Sequence, residues 1–170
     1  MAEAKLRWGL GTETAQSYYE QGIRTSFTSA GVSGADTYIL NKENLPLKSY
    51  IDPYNNRTTS VSDMLSFLPV AWDQSVDDQT NLERIMIQKW IALYPDGQEA
   101  WSEMRRTGYP GWVKIQSYNY QSEVSNGEMI SRLKFPTTEY TNNSEHTNAA
   151  VKLLGGGDTA GTRLWWDVKR

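Results

Sequence analysis

The chain has no cysteine and only one histidine among its 170 residues. The first absence excludes disulfides, thiolate metal sites, cysteine nucleophiles and a lipid-attachment cysteine within this sequence. Long apolar runs are also missing. No stretch approaches the roughly 20 residues of a membrane-spanning helix, and the start, MAEAKLRWGLGTETAQ, shows no apolar signal core. Lys and Arg are scattered, and the net charge is −3. Without a basic stripe to neutralise a phosphate backbone, nucleic acid is not an expected partner. Phenylalanine is scarce at three, against seven Trp and ten Tyr. Those two residue types join an apolar ring to a polar tip, which serves a wet core boundary and a sugar-stacking surface equally well. Hydrophobic residues at 38% and charged residues at 22% are enough for a packed core.

The periodicity is mainly helical. Ala2 to Leu10 reads as the end of a helix, followed by a tight turn at Gly11-Thr12 with Thr12 as the N-cap of the next. Ala15, Tyr19, Ile23, Phe27 and Ala30 recur every three or four positions and define one helical face, with Gly31 suited to end it. Two helices joined so closely make an antiparallel αα-hairpin. Ser33 is expected to cap a short helix from Gly34 to about Asn41, with Ala35, Tyr38, Ile39 and Leu40 inward. Residues 42–77 are irregular and carry Pro46, Pro53 and Pro69, with a short helix expected over 62–68. Thr80 and Glu83 read as a capping box before Leu82, Ile85, Met86, Ile87, Trp90, Ile91 and Leu93, a central helix packed on several sides. Asp96 opens a shorter helix with Ala100, Trp101 and Met104 on one face, and Gly108 with Pro110 stops it.

Beyond Trp112 the pattern shifts to short strands, expected at 113–115 and 130–134. Residues 138–147 read as turn, then Ser144 caps a last helix with Ala149, Ala150, Leu153 and Leu154 buried. Gly155-Gly156-Gly157 halts it. No second domain boundary shows, so one domain over 1–170 is expected, mainly α: the hairpin, a buried central helix and an irregular C-terminal region with short β-strands.

Catalytic constellations are thin. His146 lacks a Gly-x-Ser-x-Gly partner motif and reads as a solvated residue at a helix start. Paired carboxylates for glycoside hydrolysis could be drawn from Asp73, Asp77, Asp78, Glu103, Asp158 and Asp167, although caps and turns account for most of them. The glycine-rich 155–162 segment lacks the lysine of a phosphate loop and follows a helix instead of opening one. Asp77-Asp78 and Asp158 lack the ligand spacing of a calcium loop. No metal and no cofactor is expected. Arg105-Arg106, at a helix C-terminus, fits indole stacking or pairing with Glu103 or Asp167.

In combination the motifs resemble the C-terminal part of the SusD/RagB-like family. They are the stretch from Gln88 to Trp112 (QKWIALYPDGQEAWSEMRRTGYPGW), Arg132 to Pro136 with Glu139 and Asn142-Asn143, Trp165-Trp166-Asp167, and Tyr18 to Ile23. The resemblance implies a surface lipoprotein of Bacteroidetes that captures oligosaccharide without catalysis. It also implies a tetratricopeptide-like helical framework, an outer-membrane location and a SusC-like TonB-dependent porin as partner. This chain would then be the C-terminal portion of a protein about three times as long, so the N-terminal remainder or self-association is expected to cover its hairpin. A packing or porin-docking fragment with no ligand of its own is an open alternative, and a glycoside hydrolase a third. For a ligand platform, the long irregular region offers Tyr50, Tyr54, Asn55, Asn56, Arg57 and Trp72, and the exposed-looking alternation offers Tyr118 and Tyr120. A structural role competes at each.

Overall fold

A computed structural model of the protein describes residues 1–43, 50–51, 58–59, 68–111, 123–124 and 129–167. The chain divides into two compact units, Met1–Val113 and Lys114–Arg170. The expected short helix over 62–68 and the expected strand at 113–115 fall outside the described residues, apart from a non-helical Leu68.

The first unit is a helical assembly. Helix α1 (Ala2–Trp8) and α2 (Ala15–Ser29) form the expected αα-hairpin. The N-cap of α2 is Thr14, not Thr12: its hydroxyl accepts from Ser17 N at 3.1 Å. Thr12 and Glu13 instead donate their N–H groups to the Tyr18 hydroxyl at 3.1 and 3.4 Å. Gly11, at φ 99°, lies so close beneath that ring that an added Cβ would come within 2.7 Å of the hydroxyl. At the other end Gly31 takes φ 68°. Its N–H reaches Thr28 O, and Val32 N–H reaches Phe27 O, which is the paired Schellman arrangement. Helix α3 (Ala35–Ile39) starts from Gly34 without a side-chain cap, so Ser33 does not play that part. Ile39 is its buried residue; Leu40, expected inward, is exposed because the helix has already ended.

A two-residue antiparallel ladder joins β1 (Tyr50–Ile51) to β2 (Thr58–Thr59), with Tyr50 opposite Thr59 and Ile51 opposite Thr58. Helix α4 (Asp78–Ala92) is the central element and packs on α1, α2 and on α5 (Gly97–Thr107). Its cap is Asp77, whose carboxylate accepts from Thr80 N at 2.8 Å and from the Thr80 hydroxyl at 3.0 Å. The Thr80–Glu83 box therefore does not form, and Glu83 accepts from Gly111 N at 3.1 Å instead. Leu82, Ile85, Met86 and Ile87 are buried, whereas Trp90 is half-buried and Ile91 exposed. The helix is enclosed along its middle, over residues 81–87, and open to water at both ends. Helix α5 is capped by Asp96 and closed by Gly108 at φ 78°, as its sequence requires. Ala100 and Met104 face inward, while Trp101 is turned out.

One core cluster joins Ala2, Tyr19, Ile23, Ile39, Val70, Leu82, Ile85 and Met86. Buried polar groups tie the 69–73 segment over it. Arg84 Nε donates to Pro69 O at 3.0 Å and a further guanidinium N–H goes to Asn81 Oδ1. Asn81 Nδ2 donates to Asp73 O at 2.9 Å, and the Tyr19 hydroxyl to Val70 O at 2.7 Å. Each of these buried donors would be expensive to strand, so the segment is held by necessity.

The second unit contains α6 (Thr137–Asn142) and α7 (Ser144–Leu153). The α6 region, expected as turn, is helical: its three threonines are poor helix formers, and contact with α7 overrides that preference. The buried face of α7 also differs from expectation. Thr147, Ala150, Val151 and Leu154 turn inward, and Leu153 is 87% exposed. The reason is Thr147, whose hydroxyl reaches Asn143 O at 2.8 Å and Glu139 O at 3.2 Å and so sets the helix rotation against α6. Ser144 is the first helical residue and not a cap. Residues 130–134 form no strand. Ser131 and Arg132 both donate to the single carbonyl of Ala160, at 2.8 and 3.3 Å, which a ladder would not do.

Candidate functional site

Of the expected platform residues, Tyr54, Asn55, Asn56, Arg57, Tyr118 and Tyr120 lie outside the described residues. Tyr50 is placed by its backbone in β1, opposite Thr59. Its side chain is likewise outside the description.

Trp72 is fully described. It follows the buried pair Val70-Ala71, and Ala71 N–H is anchored on Asn41 O at 2.9 Å. The chain there is held at both flanks, so the indole projects from a fixed backbone. Its ring packs on Tyr19 of α2, with centroids 5.4 Å apart and planes tilted by 50°, and it stays half-buried. Two residues further on, Gln74 Nε2 reaches Gln16 Oε1 at 3.2 Å, one turn before Tyr19. Gln16 in turn donates to Glu20 Oε1 at 2.8 Å. An indole and a pair of side-chain amides thus occupy one edge of the first unit. Gln16 and Gln74 were not singled out by the sequence; the i,i+4 spacing of Gln16 and Glu20 was a legible signal, but nothing local pointed to Gln74.

Most of the ionisable candidates serve as acceptors within their own surroundings. Asp73 takes the Ser75 hydroxyl at 2.6 Å and its N–H at 2.8 Å, which hold its carboxyl below the ordinary range. Asp77 is lowered in the same way by Thr80. Asp78 stands in the first turn of α4, and Asp167 pairs with Arg163 at 3.3 Å. His146 lies exposed on α7.

Two networks gather the remaining charges. In the first unit Glu3 accepts both guanidinium nitrogens of Arg106 at 2.7 Å and Arg7 at 3.0 Å, and Arg106 also meets Glu103 at 2.7 Å. Lys89 closes the chain on Glu103 at 3.2 Å and Glu99 at 3.7 Å. The Arg106 hydrogen bonds lower Glu3. For Glu103 burial pushes upward, and the bonds from Arg106 and Lys89 together outweigh it. Arg105 lies over the Trp101 ring at 4.7 Å. The Arg105-Arg106 pair therefore divides its work between an indole and two carboxylates.

In the second unit Asp158 is the hub. It accepts from Arg132, from the Tyr140 hydroxyl at 2.7 Å and from Phe135 N at 3.2 Å to each oxygen. Side-chain exposure is 7% for Arg132 and 8% for Asp158. Burial pushes this carboxyl upward, but the convergent donors carry it below its ordinary value. Glu123 bridges Lys134 at 2.7 Å and Ala160 N at 3.3 Å, and both contacts lower it. Among the described residues no group of three or more His, Cys, Asp or Glu side chains is placed to hold a metal ion. No described helix is long and apolar enough to cross a membrane.

These features describe a helical framework whose buried charges fasten its parts together, with an aromatic and amide edge turned outward. The family model described as SusD-like, "Susd and RagB outer membrane lipoprotein", matches residues 1–167, and the chain belongs to that family. Solved structures agree. A chitin-binding SusD homologue from Flavobacterium johnsoniae is 38% identical with a TM-score of 0.78, over 99% of this chain and 34% of its own. A SusD homologue from Bacteroides thetaiotaomicron is 39% identical with a TM-score of 0.78, over 99% of this chain and 36% of its own. Another, from Bacteroides uniformis, is 36% identical with a TM-score of 0.79, over 99% and 35%. The chain thus spans about a third of the length of these relatives. No curated protein sequence matches it.

Proposed function

We propose that this chain is the C-terminal part of a longer glycan-capturing lipoprotein, folded as one functional domain and working without catalysis. By this reading the protein sits on the cell-surface side of the outer membrane beside a SusC-like TonB-dependent porin. The observation that carries the reading is the family match across residues 1–167. The Flavobacterium johnsoniae relative, described as chitin-binding, supplies the first ligand class to test. Fold alone does not fix a ligand, so the polysaccharide is left to experiment.

The carboxyl groups favour the non-catalytic reading. A glycosidase acid must keep its proton near neutrality. Among the described residues every carboxyl with a resolved shift, namely Glu3, Asp73, Asp77, Glu103, Glu123 and Asp158, moves toward the ionised form.

Isothermal titration of the chain against oligomers of chitin, starch and xylan tests the binding reading, with heat expected for at least one. Release of reducing ends from any of them over hours would end the non-catalytic reading. A second reading, a docking surface for the porin or for the N-terminal remainder, is favoured by the outward-facing Leu133, Leu153, Trp165 and Trp166 of the second unit. It predicts no heat with glycans, and capture of the purified porin on immobilised chain.

A further inference from the structure

We infer that the Trp72 edge of the first unit is a subsite for a single uncharged pyranose unit, bound by the indole and by the Gln16–Gln74 amide pair. The inference rests on the glycan-binding reading and adds to it a place and a ligand chemistry. A pyranose offers one apolar face of C–H groups and a rim of hydroxyls that both donate and accept. Its receptor therefore needs a flat ring beside groups of mixed hydrogen-bonding character.

Trp72 meets the first requirement. Tyr19 approaches its ring at a 50° tilt and not as a parallel cover, and the indole remains partly open to solvent. Its N–H meets no acceptor among the described residues, although Trp donors at packed positions usually find one. The amides meet the second. Gln74 spends one N–H on Gln16, which leaves its carbonyl oxygen without a donor and its second N–H without an acceptor among the described residues. The Gln16–Gln74 bond fixes the two amides relative to each other, so less freedom is lost on binding.

The selection against charge follows from what the neighbouring ions already do. Glu20 accepts from Gln16 and pairs with Arg24 at 3.4 Å, and Arg24 pairs with Asp36 at 2.8 Å. Asp73 is folded back onto Ser75. Among the described residues the Lys42 and Arg84 charges fall on Asp73 and that of Arg24 on Glu20 and Asp36, so the edge carries no excess of positive charge for an acidic sugar.

The test titrates the full chain with hexamers of N-acetylglucosamine, glucose and galacturonic acid. It follows the heat and, on ¹⁵N-labelled chain, the indole N–H resonance of Trp72, assigned with Trp72→Phe. The expected result is movement of that resonance with an uncharged hexamer. Gln74→Ala should weaken binding about 3- to 10-fold, the worth of one hydrogen bond. Gln74 is exposed, so this variant keeps the fold; Trp72→Phe keeps the ring packed on Tyr19 and should weaken binding by a similar factor. Heat with an unmoved Trp72 resonance and an unaltered Gln74→Ala overturns the subsite and leaves the glycan reading standing. Tighter binding of the galacturonate hexamer at Trp72 overturns the selectivity. No heat from any hexamer removes the subsite together with the reading beneath it.

Discussion

Glu3 and Arg106 stand 103 positions apart in sequence, yet both oxygens of the carboxylate meet the two terminal nitrogens of the guanidinium at 2.7 Å. The pair fastens the first helix of the unit to its last, and Arg7, Glu103 and Lys89 extend it on both sides. Such a fork cannot be reproduced by a lysine, whose charge is a point.

Arg106→Ala is expected to destabilise the first unit by about 1 kcal/mol. The figure is kept at the top of the range for surface pairs because the geometry is bidentate and networked, and no higher because Arg106 is 41% exposed. Arg106→Lys should recover less than half of the loss. Denaturant midpoints at low and high salt measure both, and midpoints equal to the parent would show the network to be decorative.

Acid should weaken the fold in a defined window. Glu3 and Glu103 titrate below 4.5 in the folded chain and Asp158 below 3.8. A carboxyl lowered by folding contributes stability in full above its unfolded value. That contribution is lost as pH falls through the folded value. Tyr19 and Tyr140 are raised above 10, by burial and by Asp158 respectively, so their contribution holds below pH 10 and fades above it. Stability should accordingly be flat from about pH 5 to about pH 9 and fall on either side. Thermal melts across that range provide the check; a maximum near pH 4 would contradict the assignment.

Asp158→Asn should unfold or loosen the second unit, with a loss of about 3–5 kcal/mol, because it strands the Arg132 charge in a site that is nearly closed to water. Tyr140→Phe removes one donor from the same hub and should loosen the unit by less than Asp158→Asn does. Hydrogen exchange in α6 and α7 reports the second unit by itself. Protection unchanged in Asp158→Asn would mean that the hub does not hold these helices.

Two glycine-to-alanine changes are expected to act with opposite sign. At Gly161 an added Cβ would lie 2.3 Å from Glu123 O, a backbone atom that cannot give way. The loss should be about 1–3 kcal/mol, in the range of an overpacked site. Gly22, inside α2, has nothing within 4 Å of the new methyl, and alanine there should stabilise by about 0.5–1 kcal/mol. Urea midpoints for the two variants are the measurement.

Much of the helical layout was legible because it is written locally. The three- and four-residue spacing of Tyr19, Ile23 and Phe27, the stop at Gly31 and the Asp96 and Gly108 boundaries of α5 all depend on side chains a turn apart. Start positions were harder. Thr12 and Thr14, or Thr80 and Asp77, are equally good cap chemistries within a few residues, and the choice fell to where the Tyr18 hydroxyl and the Asp77 carboxylate came to lie. Helix α6 was missed because its polar, threonine-rich sequence favours a helix only once α7 packs against it. For the candidate site, Trp72 was legible as an aromatic in an irregular stretch, whereas Gln74 was not, since its partner Gln16 is 58 positions away.

What the sequence by itself determined is most of the helices and their stops, and the family they belong to, because a period of 3.6 and a positive-φ glycine act within one or two turns. Only the tertiary structure decided which charges meet, which face α7 buries and what stands beside Trp72. Those outcomes depend on the approach of groups far apart along the chain, where desolvation and hydrogen-bond geometry choose between partners that look alike in the sequence.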